Sequence, residues 1–134
     1  MKLSSPKTLL VITLVAYLIC GVLLTPPAGF ETRDPARVTT FGIATLVLLF
    51  VGLALCVIAL VLLFRGSARA PLFAIAAAVL YFPAFLAEVT GLFSSLRPPT
   101  AISRIEILQG VIALIVLAVS IWMLRRASPT SPGC

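Results

Sequence analysis

The stretch that decides the fold runs from Thr39 to Phe64, TTFGIATLVLLFVGLALCVIALVLLF, and contains no charged residue. About 20 predominantly apolar residues are needed for a helix to cross the hydrocarbon core of a bilayer, and this stretch is long enough. One further long apolar stretch precedes it and two follow it. They extend from Thr8 to Leu24, from Pro71 to Phe93 and from Ala101 to Leu124. We therefore predict an all-α integral membrane protein with four transmembrane helices.

The segments between the predicted helices are short, and short connections force neighbouring helices to run in opposite directions. Prolines interrupt the chain at Pro26, Pro27, Pro98 and Pro99, while Pro71 suits the first turn of a helix. The four stretches occupy most of the 134 residues. We expect a single domain, residues 1–134, folded as an up-down-up-down antiparallel four-helix bundle.

The composition also indicates a membrane protein. Hydrophobic residues make up 61% of the chain and charged residues 10%, with a mean hydropathy of +1.22, whereas a soluble domain has about 25% charged residues. The net charge of +6 comes from residues at the helix ends and not from a basic stripe with aromatic or polar readers. We therefore expect the lipid bilayer as a partner and no nucleic acid.

The distribution of Lys and Arg predicts an orientation, because cytoplasmic loops are enriched in both. With the termini inside, the inner basic residues are Lys2, Lys7, Arg65, Arg69, Arg125 and Arg126, and the outer ones are Arg33, Arg37, Arg97 and Arg104. The prolines after Thr25 make a poor signal-peptide cleavage site, so we expect the first helix to be retained. We predict a protein of the bacterial cytoplasmic membrane with both termini cytoplasmic and with Trp122 as an interfacial anchor.

Two carboxylates fall inside the predicted helices, Glu88 in the third and Glu106 in the fourth. Intramembrane carboxylates are energetically costly and often functional. At a rise of 1.5 Å per residue, Glu88 would lie about 7 to 8 Å inside the outer end of its helix, with Glu106 and Gln109 at a similar depth. We predict a polar cluster of these three side chains with the outer arginines Arg97 and Arg104.

Two interpretations of this cluster follow from the residue types. Glu88 can be a protonatable site for proton or cation coupling. Alternatively, Glu88 is neutral, paired with Arg97 or Arg104, or hydrogen-bonded to Gln109, and so fixes how the helices pack. For Glu106, a favourable interaction with the N-terminal end of the helix dipole is a sufficient structural explanation.

Small residues recur at helical spacing and predict the inward faces of three helices. On the second helix this face is Thr45, Gly52, Cys56 and Ala59, on the third Ala77, Tyr81, Ala84, Gly91 and Ser95, and on the fourth Gln109, Ala113, Leu117 and Ser120. Leu, Val, Ile and Phe would face lipid, and Pro83 would kink the third helix. The three cysteines, Cys20, Cys56 and Cys134, are poorly placed for a disulfide and are expected to pack as small apolar residues.

The chain contains no histidine, which excludes histidine-ligated haem, histidine-based zinc sites and nucleophiles activated by histidine. We predict no catalytic residues, cofactor or metal. The expected function is that of a non-enzymatic membrane protein, either self-associating or an accessory subunit of a larger complex.

The alternative is a small oligomeric transporter or channel with Glu88 as its proton or cation site. In size, and in having four helices with an intramembrane glutamate, the chain resembles the small multidrug-resistance transporters. Their glutamate belongs to the first helix, however, and here Thr8 to Leu24 carries no charge.

Overall fold

The computed structural model describes residues 6–24, 36, 38–94 and 100–127. Four α-helices account for most of them: α1 is Pro6–Leu23, α2 is Thr40–Phe64, α3 is Ala70–Thr90 and α4 is Thr100–Ala127. Each is long and apolar enough to cross a membrane. The all-helical class and the four predicted apolar helices are therefore confirmed.

The helix ends follow from local sequence. The hydroxyl of Thr39 accepts a hydrogen bond from the amide of Gly42 and caps the start of α2. Pro71 lies in the first turn of α3, where its missing N–H costs nothing. The predicted end of the third helix at Phe93 is wrong, because Gly91 takes a left-handed conformation (φ 79°) and ends α3 at Thr90. Conversely, α4 extends past Leu124, since the next proline is Pro129.

The helices α2 and α3 form a hairpin that is closed at both ends. The turn 65–69 joins the end of α2 to the start of α3. At the other end, the amide of Thr39 donates to the carbonyl of Phe93 over 2.9 Å and its hydroxyl donates to the carbonyl of Leu92. Val38 and Ser94 add an isolated antiparallel bridge. Each end of α2 therefore lies beside the opposite end of α3.

The four helices pack around one buried core. α2 packs on α3, α3 on α4, α4 on α1 and α1 on α2. Within the described residues, the predicted small faces are mostly buried: Thr45, Gly52, Cys56, Ala59, Ala77, Tyr81, Gln109, Ala113 and Ser120 are all inside. Gly91 is exposed and was wrongly assigned to this face, because it ends the helix. α3 continues through Pro83.

Large apolar side chains cover the outside of every helix. Examples are Ile19, Ile43, Leu86 and Leu114, all more than half exposed. Apolar patches on soluble monomers are rarely this extensive, and such a surface suits hydrocarbon better than water. Cys20 and Cys56 are both buried and free, in agreement with their predicted role as small apolar residues.

Candidate functional site

The two carboxylates predicted to cluster lie on neighbouring helices, Glu88 on α3 and Glu106 on α4. Both are half-buried and both line a groove of about 340 Å³. The remaining lining residues are Phe85, Val89, Ser103 and Ile107. The structure therefore brings these two acidic residues to one site with a hydroxyl beside them and apolar walls around them.

A second, smaller cavity lies next to the same carboxylates. It has a volume of about 40 Å³, and Glu88 and Glu106 line it together with side chains of the core and of the α2–α3 hairpin. These are Leu24, Leu46, Leu49, Tyr81, Ala84, Phe93 and Ile102. A cavity of this size has room for a water molecule, which needs at least about 10 to 15 Å³. The carboxylates thus border two pockets, one large and one small.

The carboxylates are not equally distant from the ends of their helices. Because α3 stops at Thr90, Glu88 lies only about 3 Å inside its end, while Glu106 lies about 9 Å inside the start of α4. The predicted 7 to 8 Å for Glu88 was too deep, because Gly91 ends the helix early. Glu88 is therefore closer to the end of its helix than the sequence predicted.

The two arginines assigned to the cluster are placed differently. Arg104 is exposed, and residues two positions apart on a helix do not share a face, so Arg104 and Glu106 point in different directions. Arg97 lies outside the described residues. The groove itself is lined by carboxylates and a hydroxyl without a basic side chain among its described residues.

Gln109 does not join the carboxylates. Its side chain is fully buried, and neither its amide nitrogen nor its amide oxygen forms a hydrogen bond. The hydrogen bond to Glu88 suggested by the sequence is therefore absent. Gln109 instead turns into the core, where its amide approaches the hydroxyl of Tyr17 without a hydrogen bond of ordinary geometry.

Tyr17 is the buried polar residue that sequence reasoning missed. It is 1% exposed, and its hydroxyl donates a 2.7 Å hydrogen bond to the carbonyl of Ala77 on α3. Its ring packs edge-on against the ring of Tyr81, and the two ring centroids are 6.4 Å apart. The hydroxyl of Tyr81 in turn donates to the carbonyl of Glu106 on α4. The two tyrosines are the only ones in the chain and both lie in apolar stretches, which was the available signal.

Other polar groups in the core include Cys56 and Ser120. The thiol of Cys56 donates to the carbonyl of Leu14 over 3.3 Å and joins α2 to α1. The hydroxyl of Ser120 is buried without a hydrogen bond. Among the described residues, no group of three or more His, Cys, Asp or Glu could hold a metal ion.

No protein-family model, curated protein or solved structure matches this chain. The function must therefore be inferred from the geometry of its own residues. That geometry offers one pair of carboxylates able to bind a proton or a cation, and a core whose polar groups join the helices to one another.

Proposed function

We propose that this chain is a small non-enzymatic multi-pass membrane protein that acts by packing against other membrane subunits or against copies of itself. In this proposal it forms an up-down-up-down bundle in the bacterial cytoplasmic membrane with both termini in the cytoplasm. The observation that carries the proposal is the contrast between the two sides of each helix. Small residues such as Gly52, Cys56 and Ala77 lie on the inner side together with leucines and the buried polar groups, and large apolar residues cover the outer side.

The burial of the small residues determines which faces such a protein would use to associate. Close helix packing in membranes usually depends on small residues, but Gly52, Cys56 and Ala59 are buried within the monomer. Association would therefore use the outer apolar faces, with side chains such as Ile43 and Leu114. Partners would be recognised by the shape of these faces.

The direct experiment is extraction from native membranes in a mild detergent, followed by native sizing and mass spectrometry of the purified particle. Other membrane subunits in fixed ratio would support the accessory role. A homo-oligomer would support self-association. A strict monomer that binds no other protein would refute both forms of the proposal.

A second function is favoured by one observation, the shared groove of Glu88 and Glu106. In this alternative, the chain is a small oligomeric transporter or channel in which Glu88 binds a proton or cation and Glu106 completes the site. Apolar walls from Phe85 and Ile107 would strengthen electrostatic attraction by excluding water.

This alternative is tested by flux in vesicles reconstituted with the purified protein. Glu88→Gln should abolish pH-dependent cation or proton flux because it removes the ionisable group while preserving size. Arg104→Gln, an exposed change nearby, is the matched control and should leave the flux intact. Absence of any flux from the unchanged protein, or full flux from Glu88→Gln, would eliminate this function.

A further inference from the structure

Five basic residues are placed at helix ends. Lys7 lies in the first turn of α1, Arg65 and Arg69 lie in the turn between α2 and α3, and Arg125 and Arg126 lie in the last turn of α4. All five side chains are exposed. We call these five residues the basic end.

Contacts between the helices bring these residues to one end of the molecule. Along α1 and α2, Leu14 meets Cys56 and Gly21 meets Leu53, so the start of α1 lies beside the end of α2. The turn 65–69 connects the end of α2 directly to the start of α3, so the start of α3 lies at this same end of the molecule.

The contacts between α3 and α4 complete the arrangement. The ring of Tyr81 lies near Gly110, and Glu88 shares its groove with Ser103. Later residues of α3 therefore lie beside earlier residues of α4, so the two helices run in opposite directions. The end of α4, with its two arginines, lies beside the start of α3.

The charge of this end is not balanced by acidic residues. The chain has four acidic residues, of which Glu88 and Glu106 lie toward the opposite end and Glu31 and Asp34 lie outside the described residues. The described part of the basic end thus carries five cations and no carboxylate. Two helices begin and two end here, so their dipoles largely cancel and the side chains set the potential.

Trp122 identifies the depth at which these charges act. It is 41% exposed, and the guanidinium of Arg126 lies 5.6 Å from the centre of its ring. Tryptophan prefers the level of the lipid headgroups, and the planar guanidinium of arginine binds phosphate oxygens in pairs. Arg126 is therefore held beside an aromatic anchor with its charge available to a headgroup phosphate.

We propose that the basic end binds the phosphate groups of anionic phospholipids, and that it selects them over zwitterionic lipids. The inference rests on the proposed insertion into a membrane. Exposed cations without neighbouring carboxylates attract anionic headgroups by about 1 kcal/mol each, and the gain is reduced by salt. The opposite end, which carries Glu88 and Glu106, has no comparable excess of positive charge among its described residues.

The single tryptophan of the chain makes this proposal testable without a label. The full-length protein is reconstituted into vesicles of phosphatidylcholine mixed with phosphatidylglycerol, with one lipid brominated at a time, and quenching of Trp122 fluorescence gives the relative affinity of the two lipids. We expect preferential quenching by brominated phosphatidylglycerol. The preference should fall at least about tenfold in Arg125→Gln/Arg126→Gln, and it should also fall in Arg65→Gln/Arg69→Gln.

Arg104→Gln is the matched control, because it removes an exposed arginine near the other end and should preserve the preference. Equal quenching by the two lipids would overturn the proposal, as would an equal loss in the control. Loss of the preference on addition of inorganic phosphate at matched ionic strength would identify a free-phosphate site and refute lipid selection. Flotation with pure phosphatidylcholine vesicles tests insertion separately, so failure to float would contradict the proposed function itself.

Discussion

Tyr17 reaches all three of the other helices from α1. Its hydroxyl donates to Ala77 on α3, approaches the amide of Gln109 on α4, and lies 3.6 Å from the position a Cβ atom would take at Gly52 on α2. A phenol suits this position because its ring fills apolar space while its hydroxyl finds a carbonyl. Tyr17 therefore combines packing with a hydrogen bond that connects α1 to α3.

Replacing Tyr17 by Phe should destabilise the protein by about 0.5 to 1.5 kcal/mol, because it removes this hydrogen bond and preserves the ring. Unfolding of the purified protein in detergent would measure the loss. The control is Thr90→Val, since the exposed hydroxyl of Thr90 bonds only to carbonyls of its own helix. If the two variants lost the same stability, the bond between the helices would have no special value.

Replacement of Gln109 by an apolar residue of similar size should have the opposite effect on stability. Both polar atoms of its side chain are buried without hydrogen bonds, and an unsatisfied buried polar group costs about 1 to 3 kcal/mol. Gln109→Leu keeps a similar size and removes the cost, so it should leave stability unchanged or raise it. Gln109→Ala should lower stability because it opens a cavity. A loss in Gln109→Leu as large as that in Gln109→Ala would show that the amide has a partner.

At the scale of the helices, the α2–α3 hairpin depends on a close approach at Gly52. A Cβ atom there would lie 3.1 Å from the carbonyl of Ala77 and 3.4 Å from the Cβ of Leu80. The hydrogen bonds of Thr39 to Leu92 and Phe93 close the far end of the same pair. The hairpin is therefore held by tight packing in its middle and by backbone connections at both ends.

Gly52→Leu should destabilise the protein by about 1 to 3 kcal/mol, because the side chain forces α2 away from α3. Gly110→Ala is the control, since its Cβ would meet no atom closer than the 3.9 Å contact with the ring of Tyr81, and alanine favours the helix. Thermal unfolding in the same detergent compares them. Tolerance of leucine at position 52 would contradict the close approach.

The sequence was sufficient to predict the helices and most of their inward faces. Small residues at spacings of three and four identified Thr45, Cys56 and Ala113 as buried because the period of the helix fixes which residues share a face. Helix ends were less certain, as Gly91 shows. The direction in which the side chains of Tyr17 and Gln109 point could not be derived from the sequence, because it depends on how each helix is rotated about its axis relative to its neighbours.

At the scale of the whole molecule, the described residues differ in charge between the two ends. Glu88 and Glu106 line a groove at one end, and five basic residues gather at the other. The sequence predicted that these two carboxylates lie close together, although it placed Glu88 too far inside the end of α3. It assigned Gln109 to the same group incorrectly, because similar depth does not require a shared direction. In the proposed orientation, the basic end lies in the cytoplasm.

The most direct test of this account is single-cysteine labelling in intact cells with a membrane-impermeant maleimide. Cys134→Ser provides the background, because Cys20 and Cys56 are buried. Ala68→Cys places a thiol in the exposed turn of the basic end, and Leu92→Cys places one at the opposite end of the hairpin. We predict immediate labelling at position 92 and labelling at position 68 only after permeabilisation. Labelling of both positions from the same side would contradict the four-span account, and the reverse pattern would contradict its orientation.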